Sequence, residues 1–133
     1  MSSTKTRIKK LGVVVVPITD QERALEFYVG KLGLEKRTDV PMGDEYRWVE
    51  VAPAGGETTI APVLPPPGQP AGNRDTGIAL QTDDIEALHA ELKAAGVDVD
   101  EEVSRYGDPV PPMFWLRDPD KNSLFVVEVS EQS

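Results

Sequence analysis

The chain repeats itself once, and this repeat constrains its fold more than any other feature. Each half shows the same predicted order of one strand, one helix and three further strands. Asp20 and Asp84 each begin a predicted helix, 64 positions apart, whereas Gly33 and Gly96 each end one, 63 positions apart. A unit of this length present only twice is too long for a solenoid and has too few copies for a propeller. The sequence therefore predicts one duplicated βαβββ module.

A proline-rich segment separates the two predicted modules. Residues 65–72 contain four prolines and two glycines, a composition typical of a stiff and extended linker. We expect one structural domain with the fold class α+β, in which two tandem βαβββ modules form a curved mixed sheet around a cup. Its parts are an N-terminal tail (1–10), a first module (11–64), the linker (65–75), a second module (76–129) and a C-terminal tail (130–133).

Apolar patterning and capping residues place the individual elements. One predicted helix spans residues 20–32, and a second follows Asp84 and stops at Gly96. Pro62 favours an edge position or an early end for its strand, and residues 118–122 predict a turn. The predicted strands and extended segments are 13–16, 34–38, 46–52, 58–64, 76–81, 97–99, 113–116 and 124–129.

Composition excludes several classes of protein. The chain has 23 acidic and 14 basic residues, a formal charge of −9, which argues against binding to nucleic acid or to an anionic membrane. It has no cysteine, which excludes disulfides, thiolate catalysis and iron–sulfur clusters, and His89 is its one histidine. No apolar run approaches the ~20 residues of a membrane span, and the first ten residues lack the apolar core of a signal peptide. We expect a soluble, cytoplasmic protein.

Short motifs in both halves resemble those of the vicinal oxygen chelate superfamily, which includes glyoxalases, extradiol dioxygenases, fosfomycin-resistance enzymes and bleomycin-resistance proteins. The matching segments are residues 17–20, 23–28, 32–34, 83–85, 92–97 and 117–120, together with Asn122. The resemblance runs from about residue 11 to 129 and implies the glyoxalase-like fold, a small-molecule ligand and a homodimer. Modules of this family pair either within one chain or between two chains, and both alternatives stay open here.

The resemblance also implies a metal site whose ligand positions this chain fills with other residues. In metalloenzymes of the superfamily, four side chains that point into the cup, usually His, Glu, His and Glu, bind a divalent metal. The matching positions here are Val13, Ala61, Gly77 and Phe125, which offer no side-chain donor to a cation. A register shift of one residue would add only Thr76, a weak oxygen donor. We therefore expect neither a metal nor another cofactor.

Strand alternation predicts what lines the cup instead. Trp48, Phe114 and Phe125 are expected to stack against a planar or aliphatic ligand, with Glu50 as the lone charged group and Tyr106 as a lid. The competing interpretation is that these aromatic residues simply fill the core. The complete predicted lining is Val13, Val15, Trp48, Glu50, Thr59, Ala61, Gly77, Ala79, Tyr106, Phe114 and Phe125.

Glu50 separates the leading hypotheses for function. A carboxylate in a pocket is a candidate general base or an anchor for a cationic ligand, with Arg47 or Arg105 as its ion partner. Otherwise Glu50 is an exposed edge residue. The first hypothesis is a metal-independent protein that binds a small molecule, and the second is an isomerase or lyase that uses Glu50.

Two further hypotheses follow, together with two structural expectations. A metal-dependent glyoxalase or dioxygenase would require the strand register to be wrong, and an interaction module would fill the cup with its own side chains. His89 is expected to be solvated on the second helix, and the acidic residues 98–102 are expected to form a solvated loop.

Overall fold

The computed structural model describes residues 6–129, which form two four-stranded mixed sheets. The first sheet contains β1 (Val13–Pro17), β2 (Glu35–Pro41), β3 (Arg47–Ala52) and β4 (Thr59–Val63), in the order β1-β4-β3-β2. The second sheet contains β5 (Asp75–Thr82), β6 (Asp98–Val99), β7 (Met113–Arg117) and β8 (Ser123–Glu128), in the order β5-β8-β7-β6. The pairs β1–β4 and β5–β8 are parallel and the others antiparallel. The predicted α+β fold of two βαβββ modules is confirmed. Of the expected tails, residues 1–5 and 130–133 lie outside the described part.

Each module carries one helical segment after its first strand. In the first module, α1 (Gln21–Leu25) continues as a π-helical segment (Glu26–Lys31), and in the second, α2 spans Ile85–Ala94. The predicted caps form, because the side chains of Asp20 and Asp84 each accept a hydrogen bond from the backbone N–H three residues later. A π-helical hydrogen bond spans one residue more than an α-helical one, five positions instead of four. This extra residue accounts for the change in repeat offset from 64 to 63.

No helix within residues 6–129 is long and apolar enough to cross a membrane.

Both helical segments and one face of each sheet meet in a single apolar core. We call this side of each sheet its core face and the other side its open face. The core faces of the two modules contribute to one cluster, so they lie toward each other and the open faces point away from each other. The buried core includes Val16, Phe27, Tyr28, Val49, Val51, Ile60, Ile85, Leu92, Phe114, Leu116, Leu124 and Val126.

Phe114 lies in this core, so its predicted place in the cup is wrong. Its side chain is 0% exposed, and it pairs with Val126 on the core face of the second sheet. The prediction applied one repeat offset to every strand, whereas the β3–β4 turn (residues 53–58) is one residue longer than the β7–β8 turn (118–122). A slip of one residue moves a strand's side chains to the opposite face. Trp115 therefore takes the open-face position.

Pro62 lies in a central strand, so the predicted edge position is wrong, whereas the alternative of an early strand end agrees with the end of β4 at Val63. The hydrogen bonds from β4 to β1 use Thr59 and Val63, which places the backbone of Pro62 on the side toward β3. The register between β3 and β4 is limited to the pair Val51 and Ile60. Pro62 therefore sits beyond that pair, where no ladder hydrogen bond requires its missing N–H.

Buried polar side chains join the β7–β8 turn to the first module, and we call this group the stitch. Asp118 Oδ2 accepts hydrogen bonds from the Tyr28 hydroxyl at 2.8 Å and from Asn122 Nδ2 at 3.0 Å. Asn122 Nδ2 also donates to the carbonyl of Pro17 at 3.1 Å. Burial, together with the neighbouring Asp118 carboxylate, raises the pKa of Tyr28 well above its usual range, so its hydroxyl remains a donor.

Asp120, beside the stitch, adds exposed contacts to the first module and a close contact to the end of the linker. Asp120 accepts hydrogen bonds from the Thr19 hydroxyl at 2.7 Å and from Arg23 at 3.2 Å. Gly72 has a φ of +84°, and a Cβ atom there would lie 2.5 Å from the carbonyl oxygen of Asp120. Only glycine fits this approach without displacing the turn.

Removing the hydroxyl of Tyr28 should destabilise the fold. The Tyr28→Phe variant leaves a buried carboxylate with one donor fewer, so we expect a loss of about 1–3 kcal/mol in the free energy of unfolding. Urea unfolding measures this loss. The matched control is Tyr106→Phe, whose side chain is 69% exposed and which should change stability by less than about 0.5 kcal/mol. Equal stability of the two variants would contradict a role for the stitch.

Candidate functional site

The side chains predicted to line the cup lie mainly on the open faces of the two sheets. Cross-strand register places Val13, Val15, Trp48, Glu50, Thr59 and Ala61 on the first open face. The same criterion places Ala79 and Phe125 on the second, together with Trp115, which sequence analysis missed. Because the core faces lie toward each other, one chain does not bring these two sets together.

The first open face exposes an apolar strip along an edge strand. Val13 and Val15 of β1 are 40% and 49% exposed, and Val40 on the opposite edge strand, β2, is also exposed. Trp48 is half-buried between these edges, whereas Ala61 in the central strand β4 is buried. Contiguous exposed apolar groups of this kind are typical of a surface that a ligand or another protein covers.

Glu50 lies on this apolar face and is oriented by two neutral donors. Its Oε2 accepts a hydrogen bond from Trp48 Nε1 at 2.8 Å, and its Oε1 accepts one from Thr59 Oγ1 at 2.8 Å. Both donors come from the same sheet, on β3 and β4. Glu50 is half-buried and forms no salt bridge among the described residues. It thus presents a fixed, uncompensated negative charge on an apolar surface.

The ion partners predicted for Glu50 bind elsewhere. Arg47 Nη2 lies 2.6 Å from Asp39 Oδ2, and Arg47 also pairs with Glu22. These contacts follow from alternation, since Arg47 projects from the core side of β3 toward α1. The guanidinium of Arg47 holds the pKa of Asp39 well below its usual range. Arg105 pairs with Glu86 on α2.

The second open face carries an aromatic pair. The rings of Trp115 and Phe125 have centroids 4.8 Å apart and planes inclined by 40°. Cross-strand pairing places Met113 and Val127 beside them. Both rings are half-buried, so each keeps part of its surface available for contact.

Two predicted lining residues lie away from this pair. Tyr106 is strongly exposed in the loop before β7. Gly77 has a φ of +72° and sits in an irregular stretch of β5, between the paired residues Asp75 and Ala79.

At the four positions that the resemblance matches to metal ligands, the side chains offer no donor to a cation. Val13, Ala61, Gly77 and Phe125 have no side-chain oxygen, nitrogen or thiolate to offer. In residues 6–129 no three His, Asp or Glu side chains are grouped closely enough to hold a metal ion. The predicted turn at 118–122 is confirmed, because Asp118 Oδ1 accepts two backbone hydrogen bonds within it.

The prediction that His89 is solvated is wrong, whereas Asp98, Glu101 and Glu102 are exposed as expected and Asp100 is half-buried. His89 is only 8% exposed, its Nε2 lies 2.7 Å from the carbonyl oxygen of Asp100, and its ring packs edge-on against Phe114. Asp98 and Asp100 both pair with Arg117 across the second sheet. The hydrogen bond from Arg117 lowers the pKa of Asp98. Helical periodicity did not predict the burial of His89, because the segment that covers it comes from a later part of the chain.

Comparison with known proteins identifies the family. The family model of the Glyoxalase/Bleomycin resistance protein/Dioxygenase superfamily matches residues 10–125. The chain belongs to this superfamily. The resemblance seen in the short motifs is thereby confirmed.

Solved structures of superfamily members share the whole fold. TnmS3, described as an antibiotic binding protein from Streptomyces sp. CB03234, is 33% identical, with a TM-score of 0.82 over 95% of this chain and 100% of its own. A superfamily member from Sphaerobacter thermophilus is also 33% identical, with a TM-score of 0.84 over 93% of this chain and 100% of its own. The uncharacterized protein YetH of Bacillus subtilis is 36% identical over 93 residues, which are 68% of this chain and 76% of YetH.

The hydrogen bond between Trp48 and Glu50 has a direct spectroscopic test. In the Glu50→Ala variant the indole N–H loses a charged acceptor, so its proton resonance should move upfield and exchange faster with solvent. Two-dimensional NMR of the tryptophan side chains measures both effects. Trp115, the only other tryptophan, is the internal control and should not shift. An unchanged Trp48 signal would contradict the geometry of Glu50 on the open face.

Proposed function

We propose that this superfamily member binds a planar aromatic small molecule in a cup formed between two copies of the chain. Each cup would combine the first open face of one copy with the second open face of the other, giving two cups per homodimer. In this arrangement the two modules that form a cup belong to different chains and not to the same chain. The observation that carries it is that the lining residues lie on two faces that point away from each other within one chain.

The exposure of these faces supports a covered surface. Val13, Val15 and Val40 together expose apolar area that a monomer would leave in water. Joining the first open face to the second would place Trp48 and Glu50 opposite Trp115 and Phe125. Such a space would have aromatic walls and a single oriented charge, the usual composition of a small-molecule site.

The comparison with TnmS3 supports the same class of function. That protein is described as binding an antibiotic, and it matches nearly the whole of this chain. A shared fold alone does not transfer a function. The aromatic residues and the missing metal ligands of this chain are what make a binding role the better proposal.

Glu50 sets the expected chemistry of the ligand. Its carboxylate would attract a cationic group or a hydrogen-bond donor and repel an anion. Because both of its oxygens already accept a hydrogen bond, it is held in one orientation and needs little reorganisation to meet a ligand. We therefore propose an aromatic ligand that carries a positive charge.

The proposed homodimer should dissociate when a charge is placed on β1. The Val15→Asp variant would place a carboxylate in the interface of the cup, where leaving it unpaired is strongly unfavourable, so the dimer should dissociate. Sedimentation velocity at micromolar concentration measures the change from dimer to monomer. Ala90→Asp, on the exposed side of α2, is the control and should remain dimeric. A monomeric wild-type protein would refute the arrangement.

Binding can be tested with planar dyes of opposite charge. We expect proflavine, a cation, to quench tryptophan fluorescence and anthraquinone-2-sulfonate, an anion, to bind more weakly. Phe125→Ala should weaken proflavine binding about tenfold, equivalent to roughly 1.4 kcal/mol of lost stacking. Glu50→Gln should reduce the preference for the cation. The control is Ile8→Ala, an exposed apolar residue outside the strands of both sheets, and equal losses there would count against the cup.

The alternative function is a metal-independent isomerase or lyase with Glu50 as general base. The orientation of its carboxylate by Trp48 and Thr59 favours this candidate, because a general base must be held near the proton that it removes. The two functions differ in the fate of the bound compound. A binding protein returns its ligand unchanged, whereas an enzyme releases a product, and Glu50→Gln would abolish that product while retaining most of the binding.

A further inference from the structure

A second recess lies between the two modules on their core side. It has a volume of about 640 Å³, within the range of small-molecule pockets. Its floor contains the buried residues Ile60, Leu116 and Val126, and its walls contain Leu32 and Leu88. We call this recess the cleft. Of the predicted cup residues only Ala79 borders it, so it is distinct from the cup proposed above.

The repeat explains why this recess is open. The β7–β8 turn contacts the first module through the stitch, and the β3–β4 turn occupies the corresponding place beside the second module. Counting back from β4 and β8, the side chains of Asp118, Asp120 and Asn122 correspond to the smaller ones of Ala54, Gly56 and Thr58. All three smaller residues border the cleft. The space that the stitch fills at one junction is therefore left open at the other.

The turn that borders the cleft is fixed from its opposite side. Arg37 donates hydrogen bonds to the carbonyl of Pro53 at 2.6 Å and to that of Gly56 at 3.0 Å. Lys10 donates to the carbonyl of Glu57 at 3.4 Å. These hydrogen bonds give the backbone carbonyls of the turn their partners within the first module. The stitch holds the two modules together at their other junction. The turn is therefore held at the border of the cleft by residues of its own module.

The lining of the cleft defines the chemistry of a ligand. The lining contains no aromatic side chain, and its larger aliphatic side chains are Val14, Leu32, Leu34, Ile60, Ile78, Leu80, Leu88, Leu92, Leu116 and Val126. Water in such a space finds few hydrogen-bond partners, whereas an aliphatic molecule gains dispersion contacts with every wall. The polar groups at the border include Glu57, Thr58 and Gln81, of which Glu57 disfavours an anion.

We propose that the cleft is a second ligand site, which takes an aliphatic molecule with a neutral hydrogen-bonding end. The hydrocarbon part lies against the half-buried side chains of Leu32, Ile78 and Leu88, above the buried floor, and the polar end faces Thr58 and Gln81. This site does not depend on the dimer or on the aromatic ligand. Each proposal can fail without the other.

The test uses 1-octanol as the probe and methyl NMR of the full chain as the readout. Saturable shifts are expected for the methyl groups of Leu32, Leu88 and Val126, and not for those of Val13 and Val15 on the open face. Sodium octanoate should bind several-fold more weakly because its carboxylate, beside Thr58 and Gln81, would also lie near the negative charge of Glu57. Shifts confined to Val13 and Val15, or no saturable shifts, would overturn the proposal. Equal binding of octanoate would overturn the neutral polar end.

Variants that fill the cleft make the test specific. Ala54→Phe and Leu88→Trp add bulk from opposite sides of the recess, and each should weaken octanol binding about tenfold or more. Ala90→Phe, on the exposed side of the same helix as Leu88, is the matched control and should bind like the parent. The same spectra show whether each variant is folded. Unchanged octanol affinity in a folded filling variant would overturn the site, and retained octanol binding in Phe125→Ala would separate the cleft from the cup.

Discussion

The arrangement of the two modules depends on the hydrogen bonds that the buried carboxylate of Asp118 accepts. This carboxylate accepts four hydrogen bonds, two from the backbone of its own turn, one from Asn122 and one from Tyr28 of the other module. A buried charge is tolerated only when it is bonded in this way, so the turn and the first helical segment must stay together. Together with the shared apolar core, this contact holds the core faces of the sheets toward each other. The outward direction of both open faces and the cleft at the opposite junction follow from it.

Local chemistry made the modules predictable from sequence. Asp20 and Asp84 cap helices, Gly33 and Gly96 adopt the positive φ that ends them, and the turn at 118–122 forms as its residue types predict. The extra residue of the π-helical segment is also visible in the sequence, because the interval from Asp20 to Gly33 is one residue longer than that from Asp84 to Gly96. The residue count could not place this residue, because it gives only the length between the capping Asp and the terminating Gly.

The candidate site was less predictable because it depends on one-residue differences and on distant contacts. A turn longer by one residue exchanges Phe114 for Trp115 on the open face, since side chains alternate along a strand. His89 is buried by residues that follow it by more than ten positions, and Arg47 is drawn to Asp39 and Glu22. The contact between Tyr28 and Asp118 joins residues 90 positions apart. Periodicity within one element carries no information about such pairings.

Duplication gives the two halves the same backbone and leaves their side chains free to diverge, and the two junctions show the consequence. One junction has Asp118, Asp120 and Asn122, which exchange hydrogen bonds with the first module. The other has Ala54, Gly56 and Thr58, which are smaller and leave a recess. The stitched junction contributes hydrogen bonds between the modules, and the second junction has none of the side chains that make them. The second junction therefore keeps an open aliphatic surface, just as the open faces keep aromatic groups that contribute little to the core.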